Sequence, residues 1–209
     1  YVNAYLNLMK KKIIITGGLG YIGTELCRLY SGVSWYHNIL VIDNRFISER
    51  VNQIRNWNME FIHGDILDKD LVNKYFSKAD VVHHLAGITS VPRTKSESSK
   101  EIDEKIKLVA EEGTQNILNT ISNECKLIFP STHVVYEGIS EVKKDIKENE
   151  NTQPVLSYSS SKAANEKQIK DSRKNYVILR LGSVYGYSND TMRLDICLLY
   201  TSPSPRDQL

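Results

Sequence analysis

Cys27, Cys125 and Cys197 are the only cysteines in this 209-residue chain. They have no metal-ligand spacing, and their odd number fits no disulfide framework. A reduced, cytoplasmic protein is the simplest reading. Long apolar runs are also missing: none would cross a bilayer, and no signal peptide is recognisable. Charge of either sign is not in excess. A net charge of +2 predicts neither nucleic acid nor a membrane surface as a partner. What is present is ordinary for a globular protein, with 41% hydrophobic and 25% charged residues. The length can bury a substantial core, with one domain as the default.

The ends read differently from the middle. Met9-Lys-Lys-Lys12 immediately precedes an apolar run, as at the start of many bacterial-type chains, so residues 1–8 read as an upstream extension. From about Cys197 the chain runs Cys-Leu-Leu-Tyr-Thr-Ser-Pro-Ser-Pro-Arg-Asp-Gln-Leu, which is similar to translated adapter sequence. Residues 9–194 are therefore expected to form the domain and residues 195–209 a non-native tail. The alternative for the tail is a disordered Ser/Pro-rich segment.

Between the ends, strand and helix signals alternate. Lys12–Thr16 is a short β-branched run stopped by Gly17-Gly18, the pattern of a buried strand. A helix over Tyr21–Tyr30 follows. Further strands are predicted at 38–42, 59–62, 80–85, 126–129 and 176–181. Ile102, Ile106, Val109, Gly113, Ile117 and Ile121 form one apolar stripe, which predicts a long helix. Pro154 stands where another helix could begin, with Tyr158, Lys162, Asn165 and Ile169 on one face. Glu141–Asn151 reads as a solvated, charged connection. Such alternation implies an α/β fold: a Rossmann-type, doubly wound parallel sheet with helices on both faces.

The first strand runs directly into Gly17-Gly-Leu-Gly20-Tyr21-Ile22-Gly23. Gly17 can take the positive φ of a tight turn, Gly20 allows backbone to approach a pyrophosphate, and Gly23 allows close helix packing. Phosphates would then face the free amides and positive dipole end of the helix. Asp43, 20 residues beyond Gly23, ends the next strand. A carboxylate there accepts from both ribose hydroxyls and repels a 2′-phosphate, so NAD is favoured over NADP. Arg45 is the opposing signal.

Tyr158 and Lys162 lie four residues apart. On a helix their Cβ atoms would be roughly 5–6 Å apart. A phenol ionises near pH ~10. A cation about 4 Å from the phenolate contributes on the order of 4 kcal/mol at an effective dielectric of 20, which lowers that value by roughly 3 units. The pair is a candidate general acid/base. His83 and His84 read as histidines packed at a strand end. Trp35, Phe46 and Trp57 read as packing residues rather than stacking platforms.

Together these motifs resemble the extended short-chain dehydrogenase/reductase family, the NAD-dependent sugar epimerases and dehydratases. The resemblance covers residues 10–187. It rests on Thr16–Gly23, Asp43-Asn44, Gly64-Asp65-Ile66, His84-Leu85-Ala86-Gly87, Ser131–Tyr136, Tyr158–Lys162 and Leu179–Gly186. It implies that Asp65 and Ile66 hold the adenine and that Leu85, Ala86 and Gly87 line the nicotinamide side. Asn44, Tyr21 and Ile22 join the cofactor site, and Lys162 bonds the nicotinamide ribose. Thr132 becomes the third catalytic residue beside Tyr158 and Lys162, its hydroxyl bonding the substrate oxygen. On its own, Thr132 reads as a turn hydroxyl bonding its own backbone.

The pattern departs from the family in three places. Ala110 and Ser183 stand where many members have asparagine, and His133-Val134 stands where the dehydratase branch has Asp-Glu. The last argues against a sugar 4,6-dehydratase. An NAD-dependent nucleotide-sugar epimerase is the implied function, as a homodimer, with most of a small C-terminal substrate domain missing. A dehydrogenase, reductase or dehydratase of the same family and a non-catalytic NAD-binding protein are the alternatives.

Overall fold

Ile13, Ile14 and Ile15 are consecutive and all buried. Successive strand side chains point to opposite faces, so burial of all three requires cover on both sides. The computed structural model, which describes residues 10–89, 94–141 and 144–184, provides that cover. Its elements are β1 (Lys12–Thr16), α1 (Tyr21–Tyr30), β2 (Asn38–Asp43), α2 (Ser48–Asn56), β3 (Glu60–His63), α3 (Lys69–Phe76), β4 (Val81–His84), α4 (Lys100–Thr120), β5 (Lys126–Thr132), α5 (Ser157–Asp171) and β6 (Asn175–Leu181). Single 3-10 turns lie at Lys95–Glu97 and His133–Tyr136.

The six strands are parallel and ordered β3-β2-β1-β4-β5-β6. Strand order reverses between β1 and β4, which opens a crevice at the carboxyl ends of those strands. Ile13, Ile15, Ile39 and Val41 pack on one face with Cys27, Val51 and Ile54. Ile14, Leu40, Ile42 and Val82 pack on the other with Val72, Phe76, Ile117 and Ile169. The helices therefore divide as a doubly wound sheet requires: α1 and α2 on one face, α3, α4 and α5 on the other.

Several boundaries differ from the sequence pattern for physical reasons. β5 runs three residues past Phe129 to Thr132, because β6 pairs along its whole length while β4 stops at Ile128. Pro130 thus has a strand neighbour on one side only, the edge setting that proline tolerates. α5 begins at Ser157, and Pro154 lies in the irregular segment before it. α2 and α3 are helices that the apolar pattern did not mark; both are short, and α3 is capped by Asp68.

Ile102, the first residue of the α4 stripe, is 41% exposed. Trp57 packs against the first core, and Phe46, though 58% exposed, sets its ring edge-on to Phe61 and His63; Trp35 is 75% exposed, which corrects its reading as a packing residue. Cys27 and Cys125 are free and buried, and the described part of Glu141–Asn151 is mostly exposed. Residues 1–8, Cys197 and the 195–209 tail lie outside the described residues, as does the end of the Leu179–Gly186 motif.

Candidate active site at the carboxyl edge of the sheet

β1 delivers the chain into the glycine turn. Gly17 has φ +65°, and a Cβ there would lie 2.8 Å from the Ala86 backbone nitrogen. Gly20 is the N-cap of α1 and donates its N–H to the Gly17 carbonyl at 3.0 Å. A Cβ on Gly23 would lie 2.4 Å from the Gly17 carbonyl oxygen, so α1 packs on the turn itself. At Gly20 the nearest atom to such a Cβ is 3.1 Å away, which leaves the space before the helix N-terminus for a ligand.

Asp43 ends β2 and is buried. Its Oδ2 accepts from the Leu19 N–H at 2.9 Å. Oδ1 accepts from the Arg45 N–H at 2.9 Å and from Arg45 Nε at 3.3 Å. Asn44 donates from Nδ2 to Asp65 Oδ2 at 3.0 Å, and Asp65 Oδ1 accepts from the Leu67 N–H. Ile66 is buried against Gly113 of α4, where a Cβ would meet its Cδ1 at 2.3 Å.

β4 contributes the floor. The Ala86 N–H donates to Thr16 Oγ1 at 3.0 Å, and Thr16 Oγ1 lies 3.0 Å from His84 Nδ1. His84 Nε2 lies 3.0 Å from Thr114 Oγ1. Thr16 Oγ1 thereby links the Ala86 backbone to the His84 ring. Burial first, and then the Lys162 charge, push His84 down to about 3. It is a neutral bridge between β1 and α4, in keeping with a packed histidine. His83 is likewise buried, 2.8 Å from the Tyr30 hydroxyl.

Thr132, at the last position of β5, accepts from the Val134 N–H at 3.3 Å. A hydroxyl that accepts one bond still has its own hydrogen to give. Tyr158 and Lys162 stand one turn apart on α5. The Lys162 ammonium donates to the Pro130 carbonyl at 2.9 Å and lies 4.4 Å from the Phe129 ring centroid and 6.0 Å from that of Tyr158. Burial lowers Lys162 to about 8, and Glu166 one turn further on opposes that shift. Glu166 is buried and accepts from Ser131 Oγ at 2.6 Å and from Arg180 Nε and Nη2 at 2.9 and 2.6 Å.

Each candidate residue named from the sequence lines one cavity of about 1090 Å³. Gly17, Gly20, Tyr21, Ile22 and Gly23 line it with Asp43, Asn44, Asp65 and Ile66, and so do Thr132, Tyr158 and Lys162 with Leu85, Ala86 and Gly87. Ile106 and Val109 of α4 add apolar wall that the stripe marked only as core. Ala110 and Ser183 are not on the wall, though Val109, Gly182 and Val184 beside them are. A second hollow of about 490 Å³ lies between the starts of α4 and α5, and Tyr158 lines both. The glycine turn, the helix N-terminus and the buried acid fit a dinucleotide: room for a pyrophosphate at Gly20 and acceptors for ribose hydroxyls at Asp43.

Comparison with known proteins agrees with this geometry. The family described as the NAD dependent epimerase/dehydratase family matches residues 13–197. A dTDP-D-glucose 4,6-dehydratase from Dictyostelium discoideum is 31% identical over 201 residues, 86% of this chain and 45% of that protein. A UDP-glucose 4-epimerase from Neisseria meningitidis serogroup C is 29% identical over 178 residues, 78% of this chain and 49% of that protein. Among solved structures, a UDP-glucuronic acid 4-epimerase mutant from Bacillus cereus, with UDP-4-deoxy-4-fluoro-glucuronic acid and NAD, superposes with a TM-score of 0.72 at 28% identity. That match covers 85% of this chain and 58% of the other. The chain spans about half the length of the curated relatives it matches. With a parallel 3-2-1-4-5-6 sheet, a glycine turn facing a buried acid and a family match over most of its length, this chain belongs to the NAD-dependent epimerase/dehydratase family, and its cofactor is NAD.

Proposed function

We propose that this chain carries the NAD-binding and acid/base part of a nucleotide-sugar epimerase. The observation that carries the reading is the convergence of Tyr158, Lys162 and Thr132 on the same cavity that the glycine turn and Asp43 line. The Tyr158 phenolate takes the proton of a sugar hydroxyl and later returns it. Lys162 keeps the phenolate ionised, and Thr132 orients the substrate oxygen by a hydrogen bond. When bound, NAD supplies the hydride acceptor, and afterwards the donor, for the carbon bearing that hydroxyl. Because Tyr158 lines both hollows, a substrate in the smaller would meet the dinucleotide site at the phenol.

The test is Tyr158→Phe in the catalytically complete protein. Turnover of the nucleotide-sugar should fall roughly 10²–10⁴-fold, the usual contribution of a positioned acid/base, while NAD affinity stays nearly unchanged. Activity within tenfold of the unaltered protein would remove Tyr158 as the base.

A dehydratase is the second reading, favoured by the Dictyostelium relative. Against it, His133 is exposed with Nδ1 3.2 Å from the Leu181 carbonyl, and no acid follows Thr132 directly. Mass spectrometry separates the readings. An epimerase returns an isomer of unchanged mass with no NADH released. A dehydratase product is lighter by one water, and a dehydrogenase accumulates NADH. NAD binding with no turnover would favour the non-catalytic reading. We also assign the assembly as a homodimer through α4 and α5, to be measured by light scattering.

A further inference from the structure

The helix that carries Tyr158 and Lys162 has one cap bond of its own, from the Leu156 N–H to the Ser159 hydroxyl at 3.2 Å. Asp68 and Ser99 cap α3 and α4 with their side chains. At the N-cap of α5 stands Leu156, which has no polar side-chain atom, and the first turn holds no acidic residue. Ser157 bonds Asp103 of α4, and three further donors at this end converge on Glu137. Its Oε1 accepts from the N–H groups of Val155 and Leu156 at 2.8 and 2.7 Å, and from the hydroxyl of Ser159. Ser159 is itself buried and flanks Tyr158 in the sequence.

Glu137 comes from the turn that follows Thr132, as the C-cap of His133–Tyr136. That turn is fastened to the segment leading into α5. The Gly138 N–H donates to the Gln153 carbonyl, and the Gln153 N–H donates to the Val135 carbonyl, both at 2.8 Å. A Cβ on Gly138 would lie 2.6 Å from the Gln153 carbonyl oxygen, so this approach requires glycine. Thr132 and Tyr158 therefore enter the cavity from one hydrogen-bonded unit, with Glu137 at its joint. An anion at a helix N-terminus also meets the positive end of the helix dipole.

We propose that Glu137 is a positioning residue: by capping α5 from the Thr132 turn, it sets the Tyr158 phenol against Lys162 and Thr132. The assignment rests on the reading of Tyr158 as the acid/base. The ionisable groups that share a hollow with Tyr158 include Lys162 on α5, Lys100, Asp103 and Glu104 on α4 across the smaller one, and Glu97 and Lys105 across the larger, while Glu137 reaches it through the helix start. Loss of one negative charge on its own would make the phenol easier to ionise. A loosened first turn would move the phenol from the ammonium and make it harder to ionise. The two effects have opposite signs.

The chain is labelled with 13C at the tyrosine ring and saturated with NAD, the Tyr158 resonance is assigned with Tyr158→Phe, and pH is varied. In the unaltered protein Tyr158 should titrate below the ordinary phenol value of about 10. Glu137→Ala should raise it by at least one unit, a tenfold loss of phenolate at a given pH. Glu137→Gln retains an oxygen acceptor and should restore most of the difference. A lowered Tyr158 value that Glu137→Ala leaves unmoved, or lowers further, overturns the proposal alone. A free-phenol value in the unaltered chain removes the acid/base reading and the proposal with it. If Glu137→Ala does not fold, Ser159→Ala removes one of the three donors instead. A smaller rise then supports the positioning role, and no rise overturns it.

Discussion

Lys162 shows what the site demands of a single residue. Its ammonium has one carbonyl partner, Pro130, and otherwise faces the Phe129 and Tyr158 rings. Burial disfavours the charged form and brings the amine down to about 8 from an ordinary 10.5. Between those values the unfolded chain binds more protons than the folded one, so this contribution to stability rises with pH across that window. At neutral pH the buried charge is a net cost. Lys162→Met should therefore raise the melting temperature by a few degrees at pH 7, and the gain should shrink as pH approaches 10. The same change should return the Tyr158 phenol to its free value. A melting temperature lower than that of the unaltered protein would mean that the bond to Pro130 outweighs the desolvation. Tyr158 and Lys162 were legible in the sequence because their relation is local, one turn of a helix. Glu137 was not legible, because its partners lie 18 to 22 positions away and meet it only after folding.

At the scale of elements, the β1–turn–α1 unit separates two jobs of glycine that sequence spacing cannot tell apart. A methyl group on Gly23 would strike the Gly17 carbonyl oxygen at 2.4 Å and the Gly18 Cα at 2.7 Å, both rigid backbone. On Gly20 it would meet the Gly17 carbonyl oxygen at 3.1 Å and the flexible Arg45 guanidinium at 3.8 Å. Gly23→Ala should therefore lower the melting temperature markedly, as overpacking usually costs about 1–3 kcal/mol. Gly20→Ala should leave the melting temperature nearly unchanged and weaken NAD binding at least tenfold, measured by calorimetry, because its methyl group occupies the approach of the pyrophosphate. Equal effects on both quantities in both variants would refute this division. This unit was legible because each of its signals is contiguous. The three extra residues of β5 were not, since their pairing partners Leu179, Arg180 and Leu181 lie far along the chain. At nine and eight residues, α2 and α3 are too short for an apolar stripe to repeat along the sequence.

Across the whole molecule, β4 ties the two helical layers to the sheet through two adjacent histidines. They point to opposite faces, as neighbours on a strand must. His83 reaches Tyr30 on α1, and His84 reaches Thr114 on α4 while also holding Thr16 of β1. The sheet order makes this possible, because β4 and β1 are neighbours at the point where the order reverses. Burial pushes His83 down to about 4, and burial aided by Lys162 pushes His84 down to about 3. Both are therefore neutral in the folded protein at pH values where an unfolded chain, titrating near 6.5, is protonated. As pH falls below about 6.5 the unfolded state takes up protons that the folded state refuses, and stability drops by up to roughly 1.4 kcal/mol per pH unit for each histidine. The carboxylates held low by their partners, Glu137 and Glu166, lose their contribution only below their ordinary value of 4.5. The interval from pH 6.5 to 4.5 thus reports on the histidines. Denaturant unfolding across it should show stability falling with a slope near two protons. His84→Gln, which keeps hydrogen-bonding groups but cannot titrate, should reduce that slope to near one. A stability that stays flat across the interval in the unaltered protein would mean that these histidines are not held neutral, and that the two layers are joined to β4 in some other way.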